Sequence, residues 1–268
     1  MKTIESLIQG KKDDCSLCED GLYIGKNVVV VIDGATAQSN KMFFGKSSGR
    51  FARDILLEVA EQQEDLLCRM SATEALAFLN DKLGKSLRES LSIEEYPRAS
   101  VMIYNDRKHE IWGYGDCQCM INGELYNFEK EIDRINSEKR AQTIEGALGN
   151  KISVEKLLFH DVGRDAIEEG LKGRFTYENQ PGPLGYPTLN GYSFYEPFVF
   201  VKHVEGNSDI ILATDGYPVL KNSLQESEKE LARILVSDPL CFREFKSTKG
   251  LTQGSLSFDD RTYWRGLV

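Results

Sequence analysis

No apolar run in this 268-residue chain approaches the ~20 residues needed to cross a bilayer, and the opening MKTIESLIQG is too short and too polar for a signal peptide. Both absences point to a cytoplasmic protein with no membrane partner. A basic excess is missing too: 33 Lys and Arg stand against 42 Asp and Glu, for a net charge of -9 and a pI near 5.1. That balance argues against nucleic acid or an anionic lipid surface as the main partner, because both reward clusters of cations, and it permits a cation site. Cysteine is sparse, and six in a chain of this length do not imply a disulfide framework. Cys15 with Cys18, and Cys117 with Cys119, lack the turn-rich C-x2-C spacing of a zinc knuckle on both sides, and no helix start follows Cys15 to lower a thiol pKa. His160 has no partner motif near it and reads as structural. A phosphate-cradling P-loop is also absent. Gly45-Lys46-Ser47 precedes a helix, but the first glycine of that motif would fall at Asn40, and Met42, Phe43 and Phe44 fill positions that should be small or polar.

What is present is a core. Hydrophobic residues make up 41% of the chain, enough for one domain over residues 1–268. Its centre is VVVVIDGA, Val28 to Ala35. Five apolar residues, Val28 to Ile32, read as a strand buried on both faces, which stops at Asp33-Gly34. A helix follows from about Arg50 to Gln62, with Phe51, Ile55, Leu56 and Val59 on one face. A second is expected from Ser71 to about Ser90, carrying Leu76, Leu79, Leu83 and Leu87. Strand patterns then run through ASVMIYND and HEIWGYGDCQCMINGELYNF, with an Asn122-Gly123 hairpin turn and a break at Gly113, Gly115 and Asp116. Lys130 to Gly173 is charged and helical in pattern, and NQPGPLGYPTLNG is loop. The opening device then repeats: Asp209 to Thr214 is a short buried strand ending in Asp215-Gly216, followed by a helix from about Leu224 to Val236 and a C-terminal Asp259-Asp260 before the last strand.

Carboxylates therefore collect at strand junctions: Asp33, Asp215 and Asp259-Asp260, with Asp13-Asp14 ahead of the central strand. The segment before that strand reads as an antiparallel neighbour, which places Asp13 and Asp14 close to Asp33, while Glu19-Asp20 reads as solvated loop. Converging carboxylates repel one another and coexist only around hard divalent cations, which favour oxygen ligands. A pair of Mg²⁺ or Mn²⁺ ions can lower the pKa of a water and hold a phosphoryl group for in-line attack. Lys46 and Arg50 are candidate contacts for a substrate anion.

Taken in order, the acidic pair Asp13-Asp14, VVIDGA, the helix after GKSSG, the strand pair with GYGDCQ, DIILATDG and the final DDRT resemble the metal-dependent protein phosphatase family, type 2C, over nearly the whole chain. The resemblance implies an α+β fold, a four-layer αββα sandwich of two antiparallel β-sheets flanked by helices. It implies removal of phosphate from phosphoserine and phosphothreonine with two Mn²⁺ or Mg²⁺ ions as cofactors and a phosphorylated protein as partner; the sequence does not give the oligomeric state, and a monomer is the default expectation. By position, Asp33, Gly34 (through its carbonyl), Asp215 and Asp259 would ligate the ions, with Asp33, Asp215 and Asp259 as the catalytic set. Asp13, Asp14, Asp116 and Asp260 would act through waters or from behind the ligands. The family's His-Gly-Gly or Met-Gly-Gly after the first Asp-Gly is Ala35-Thr36-Ala37 here, and Val219 replaces the acid associated with a third ion. The family's upstream arginine has no counterpart, which makes Lys11 or Lys12 the candidate substrate-binding charge. These departures support an alternative, a weak or inactive phosphatase-like protein that binds and regulates a phosphorylated partner. A third reading keeps the ions and takes a small phosphorylated metabolite.

Overall fold

The computed structural model describes residues 1–35, 39, 41–87 and 90–268, so Thr36 and Ala37 of the departing triplet, Asn40, and residues 88–89 of the expected second helix lie outside the described residues. Two strands precede the apolar run, β1 (Lys2–Gln9) and β2 (Gly21–Ile24), and the run itself is β3 (Val28–Ala35). Next come α1 (Ser48–Gln62), α2 (Glu64–Leu67) and α3 (Ala72–Lys85), then β4 (Arg98–Asn105), β5 (Glu110–Tyr114), β6 (Gln118–Ile121) and β7 (Glu124–Tyr126). The charged stretch breaks into α4 (Glu131–Gly149), α5 (Val154–Phe159), α6 (Val162–Ala166) and α7 (Glu168–Gly173), and β8 (Phe200–His203), β9 (Asp209–Ala213), α8 (Leu224–Ser237) and β10 (Arg261–Leu267) close the chain. Every strand pairing is antiparallel, in two five-stranded sheets of order β1-β10-β9-β6-β7 and β2-β3-β4-β5-β8.

The alternation of β3 divides the core. Val28, Val30 and Ile32 pack under α1 and α3, whereas Val29 and Val31 point into the layer between the sheets with Met102, Leu212 and Trp264. All five are at most 1% exposed, and each such burial contributes roughly 1.5–3 kcal/mol. On the outer face of the other sheet, Ile211, Ala213 and Tyr263 pack with Tyr217, Leu220 and Leu224 at the start of α8. The α+β arrangement of helices on two stacked sheets is the one the resemblance implied. Asn122 and Gly123 adopt φ of 50° and 87° in the tight β6–β7 turn.

Helix α1 starts where Ser47 Oγ accepts from the Arg50 amide, and α3 starts with a reciprocal Ser71–Glu74 capping box. The second helix ends at Lys85, short of the expected Ser90, where Ser86 Oγ donates to the Leu83 carbonyl 2.6 Å away. Arg140 of α4 is fully buried and donates to the carbonyls of Leu240, Cys241 and Ser247 and to Asp161, which ties α4–α7 to the 238–250 segment. No helix of the described residues is long and apolar enough to cross a membrane.

Candidate active site

Antiparallel pairing returns the chain to the same edge at every second turn. That edge gathers the last residues of β3, β5 and β9 and the residues just before β2, β6 and β10. It therefore collects Asp33, Asp215 and Asp259, with Asp116 from the β5–β6 connection, on one side of a cleft of about 750 Å³. Asp33 shares its face with Val29 and Val31, so its carboxylate emerges at the mouth of the gap between the sheets. Close backbone approach explains two of the glycines: a Cβ on Gly34 would stand 2.4 Å from the Gly49 carbonyl oxygen, and one on Gly216 would stand 2.0 Å from that of Asp260. Ser100, the cross-strand partner of Asp33, donates to Asp116 Oδ1 and so couples the two carboxylates.

The acidic pair beside Asp33 is not the one expected from the sequence. Strand β2 begins only at Gly21, opposite Ile32, and the Gly34 amide donates to the Glu19 carbonyl. Glu19 and Asp20, read as solvated loop, are 4% and 1% exposed, whereas Asp13 and Asp14 are exposed and outside the cleft. Asp14 instead caps a short 3-10 turn through the Ser16 amide. A signal for Asp20 was present in the sequence: Asp20-Gly21, Asp33-Gly34 and Asp215-Gly216 are its three Asp-Gly dipeptides, and all three lie at this edge. Asp260 acts as a clamp, its two oxygens accepting from the amides of Lys11 (2.7 Å) and Glu19 (2.9 Å).

The cluster is electrostatically loaded. Burial pushes the Asp20 carboxyl well above its usual range, against a hydrogen bond from Thr214 and with further repulsion from Asp259, Asp260 and Asp215. Asp33 is raised well above its range by burial and by the charges of Asp215 and Asp20, and Asp215 is pushed up to about 7 by burial, Asp116 and Asp259. Two carboxyls go the other way despite burial: Asp116 is lowered by Lys130, and Asp259 by Lys249 and Lys11. Lys130 Nζ lies 2.6 Å from Asp116 Oδ2. Lys11 Nζ lies 3.5 Å from Asp259 Oδ1 and 3.4 Å from Asp260 Oδ2, while Lys249 Nζ takes Asp259 Oδ2. Lys249 and Lys130 are basic members of the site that the sequence did not disclose. Of the expected anion contacts, Lys11 is thus in the cleft, Lys12 is an exposed side chain outside it, and Lys46 and Arg50 are spent on Asp54, Lys46 at 2.8 Å and Arg50 at 3.3 Å.

Among the described residues, no group of three or more His, Cys, Asp or Glu side chains is placed to hold an ion as it stands. Lysines holding both oxygens of Asp259 account for part of this. The donor set nevertheless fits hard divalent cations. Glu19, Asp20, Asp33, Asp116, Asp215, Asp259 and Asp260 outnumber the ammonium groups of Lys11, Lys130 and Lys249, and the raised carboxyls of Asp20, Asp33 and Asp215 mark an excess of oxygen donors that divalent cations would offset. Asp20 Oδ2 is buried with no hydrogen-bond partner, an arrangement costing several kcal/mol unless a cation joins it. All six cysteines are free thiols, and burial followed by the Asp33 charge pushes the Cys117 thiol well above its usual range, so it is no nucleophile.

No protein-family model matches the sequence, and no curated protein matches it. Solved structures do. The serine/threonine phosphatase PstP/Ppp of Mycobacterium tuberculosis is 14% identical, with a TM-score of 0.51 over 99% of this chain and 98% of that one. The catalytic domain of PstP in complex with two manganese ions is 12% identical, with a TM-score of 0.51 over all of both chains. Stp1 of Staphylococcus aureus, also a serine/threonine phosphatase, is 13% identical, with a TM-score of 0.50 over 100% of this chain and 95% of that one. At these identities the likeness is one of fold, and the fold is that of bacterial type 2C phosphatases.

Proposed function

We propose that this protein is a phosphomonoester hydrolase that uses two Mn²⁺ or Mg²⁺ ions and acts on phosphoserine or phosphothreonine of a protein. The observation that carries the reading is the meeting of Asp33, Asp215 and Asp259 at one cleft edge, with the Asp20 carboxyl buried within reach of the charges of Asp215 and Asp259 and one of its oxygens unpartnered. Asp20, Asp33, the Gly34 carbonyl, Asp215 and Asp259 would hold the ions. When bound, the ions supply Lewis-acid chemistry, easing deprotonation of water and neutralising charge on a phosphoryl group. The chain's own residues do the rest. Asp260 fixes the backbone at Lys11 and Glu19, and Ser100 with Lys130 fixes Asp116. Lys249, 40% exposed and bound to Asp259 at the cleft lip, would supply an ammonium to phosphoryl oxygens when Asp259 serves as a metal ligand.

The test is hydrolysis of a phosphothreonine peptide in Mn²⁺, compared in chelator and in Asp215→Asn. Turnover lost in both supports the reading. Turnover that survives chelator overturns it, and peptide binding without turnover gives the regulatory, non-catalytic alternative instead.

A further inference from the structure

The cleft extends beyond the carboxylate cluster to a wall of mixed charge, where Lys130, Arg164 and Arg174 stand among acids that include Asp133 and Glu178. Residues from the start of α4, from α6 and from the turn after α7 bring Lys130, Arg164 and Arg174 to this wall beside the Tyr186 ring. Lys130 joins the two regions, with Nζ 2.6 Å from Asp116 and 5.2 Å from the centre of the Tyr186 ring. Arg174 spends Nη1 on Asp133 Oδ1 at 2.9 Å. Arg164 has no carboxylate within ion-pair distance among the described residues, and its hydrogen bond goes to a neutral acceptor, the Thr248 carbonyl at 2.7 Å. A guanidinium has five N–H donors, so most of those on Arg164 are unspent. Burial, and repulsion from Arg174 and Arg140, hold that guanidinium below its usual range. Lys130 and Arg174 each have a carboxylate of their own, so Arg164 is the member of this wall left without one, and a partly desolvated guanidinium in that position favours an added anion.

We propose that Lys130, Arg164 and Arg174 form a second anion site, which takes a further oxyanion of the substrate, carboxylate or phosphate, while the scissile phosphoryl group lies at the carboxylates. The site itself rests on the geometry of the wall; its use in substrate choice rests on the hydrolase reading. Planar guanidinium groups suit both kinds of oxyanion. Two sources can supply one: acidic side chains flanking a phosphorylated residue, or a second phosphate on the same molecule.

The site is tested first without metal, by calorimetric titration of inorganic phosphate in chelator. Wild type should bind saturably, and Arg164→Gln and Arg174→Gln should each weaken binding about tenfold, the order of one charged hydrogen bond. Equal binding in wild type and both variants, or none in wild type, overturns the site. Substrate choice is then read on wild type in Mn²⁺, as kcat/KM for phosphothreonine peptides flanked by Glu or by Ala, and for an alkyl bisphosphate against the monophosphate. A preference of about tenfold is expected in one arm, and that arm identifies the source. Turnover with no preference in either arm overturns the proposed use. Phosphate binding that follows the arginines without any hydrolysis leaves the anion site standing and sinks the hydrolase reading.

Discussion

Asp215→Asn should make the metal-free protein more stable at pH 8, although it removes a charge from the site. Asp215 stands at about 7 instead of 3.8 because burial takes it from water and Asp116 and Asp259 repel its charge. Between those values the folded chain keeps a proton that the unfolded chain gives up, so stability falls as pH rises and the loss is complete above pH 7. Raising one carboxyl from 3.8 to about 7 costs roughly 4 kcal/mol at pH 8. Asparagine does not titrate, so in chelator at pH 8 the variant should unfold roughly 10 °C above wild type, a gap that closes towards pH 4. Saturating Mn²⁺ should reverse the order, since an ion that binds only the folded wild type stabilises it. Thermal unfolding followed by circular dichroism at pH 4, 6 and 8, with chelator and with Mn²⁺, measures all three. A variant less stable than wild type in chelator at pH 8, or a gap independent of pH, would mean that the ionised Asp215 carboxyl does not destabilise the fold.

Other consequences concern neighbouring residues. Asp20→Asn should lower Mn²⁺-dependent hydrolysis at least ~100-fold, whereas Asp13→Asn and Asp14→Asn, changed outside the cleft, should stay within about twofold by the same assay. Lys249→Met should tighten Mn²⁺ binding about tenfold in calorimetry by freeing Asp259, and should raise KM for the phosphorylated substrate. In denaturant unfolding, Gly34→Ala should cost at least ~2 kcal/mol, because its Cβ would meet the Gly49 carbonyl and one of the two backbones must move.

The strands that carry the site were legible because their apolar runs are dense and end abruptly: Val28–Ile32 and Ile210–Ala213 could be buried only between other layers, and the acid at each end had to face the edge. Helix α1 followed from its apolar face, although its Ser47 cap starts it at Ser48, before the expected Arg50, and the Asn122-Gly123 turn followed from turn chemistry that acts over a few residues. Register did not. Placing an acidic pair beside Asp33 needs the starting residue of β2, and GLYI is too short and too weakly alternating to show that Gly21, not a residue near Asp13, faces Ile32. Asp20 therefore reads as loop from the sequence although it is buried. Lys130, Arg164 and Lys249 escaped for another reason. They lie on a helical arm and a loop whose placement depends on the buried Arg140 and its carbonyl partners, a long-range contact with no local pattern.

Whether the carboxylate cluster binds two divalent ions is measured by calorimetric titration of the wild-type chain and Asp33→Asn with Mn²⁺. Two ions per wild-type chain and loss of that binding in the variant are expected. A wild-type protein that takes up no ion at millimolar Mn²⁺ would contradict this expectation, and would leave Lys11 and Lys249 as the permanent counter-ions of Asp259.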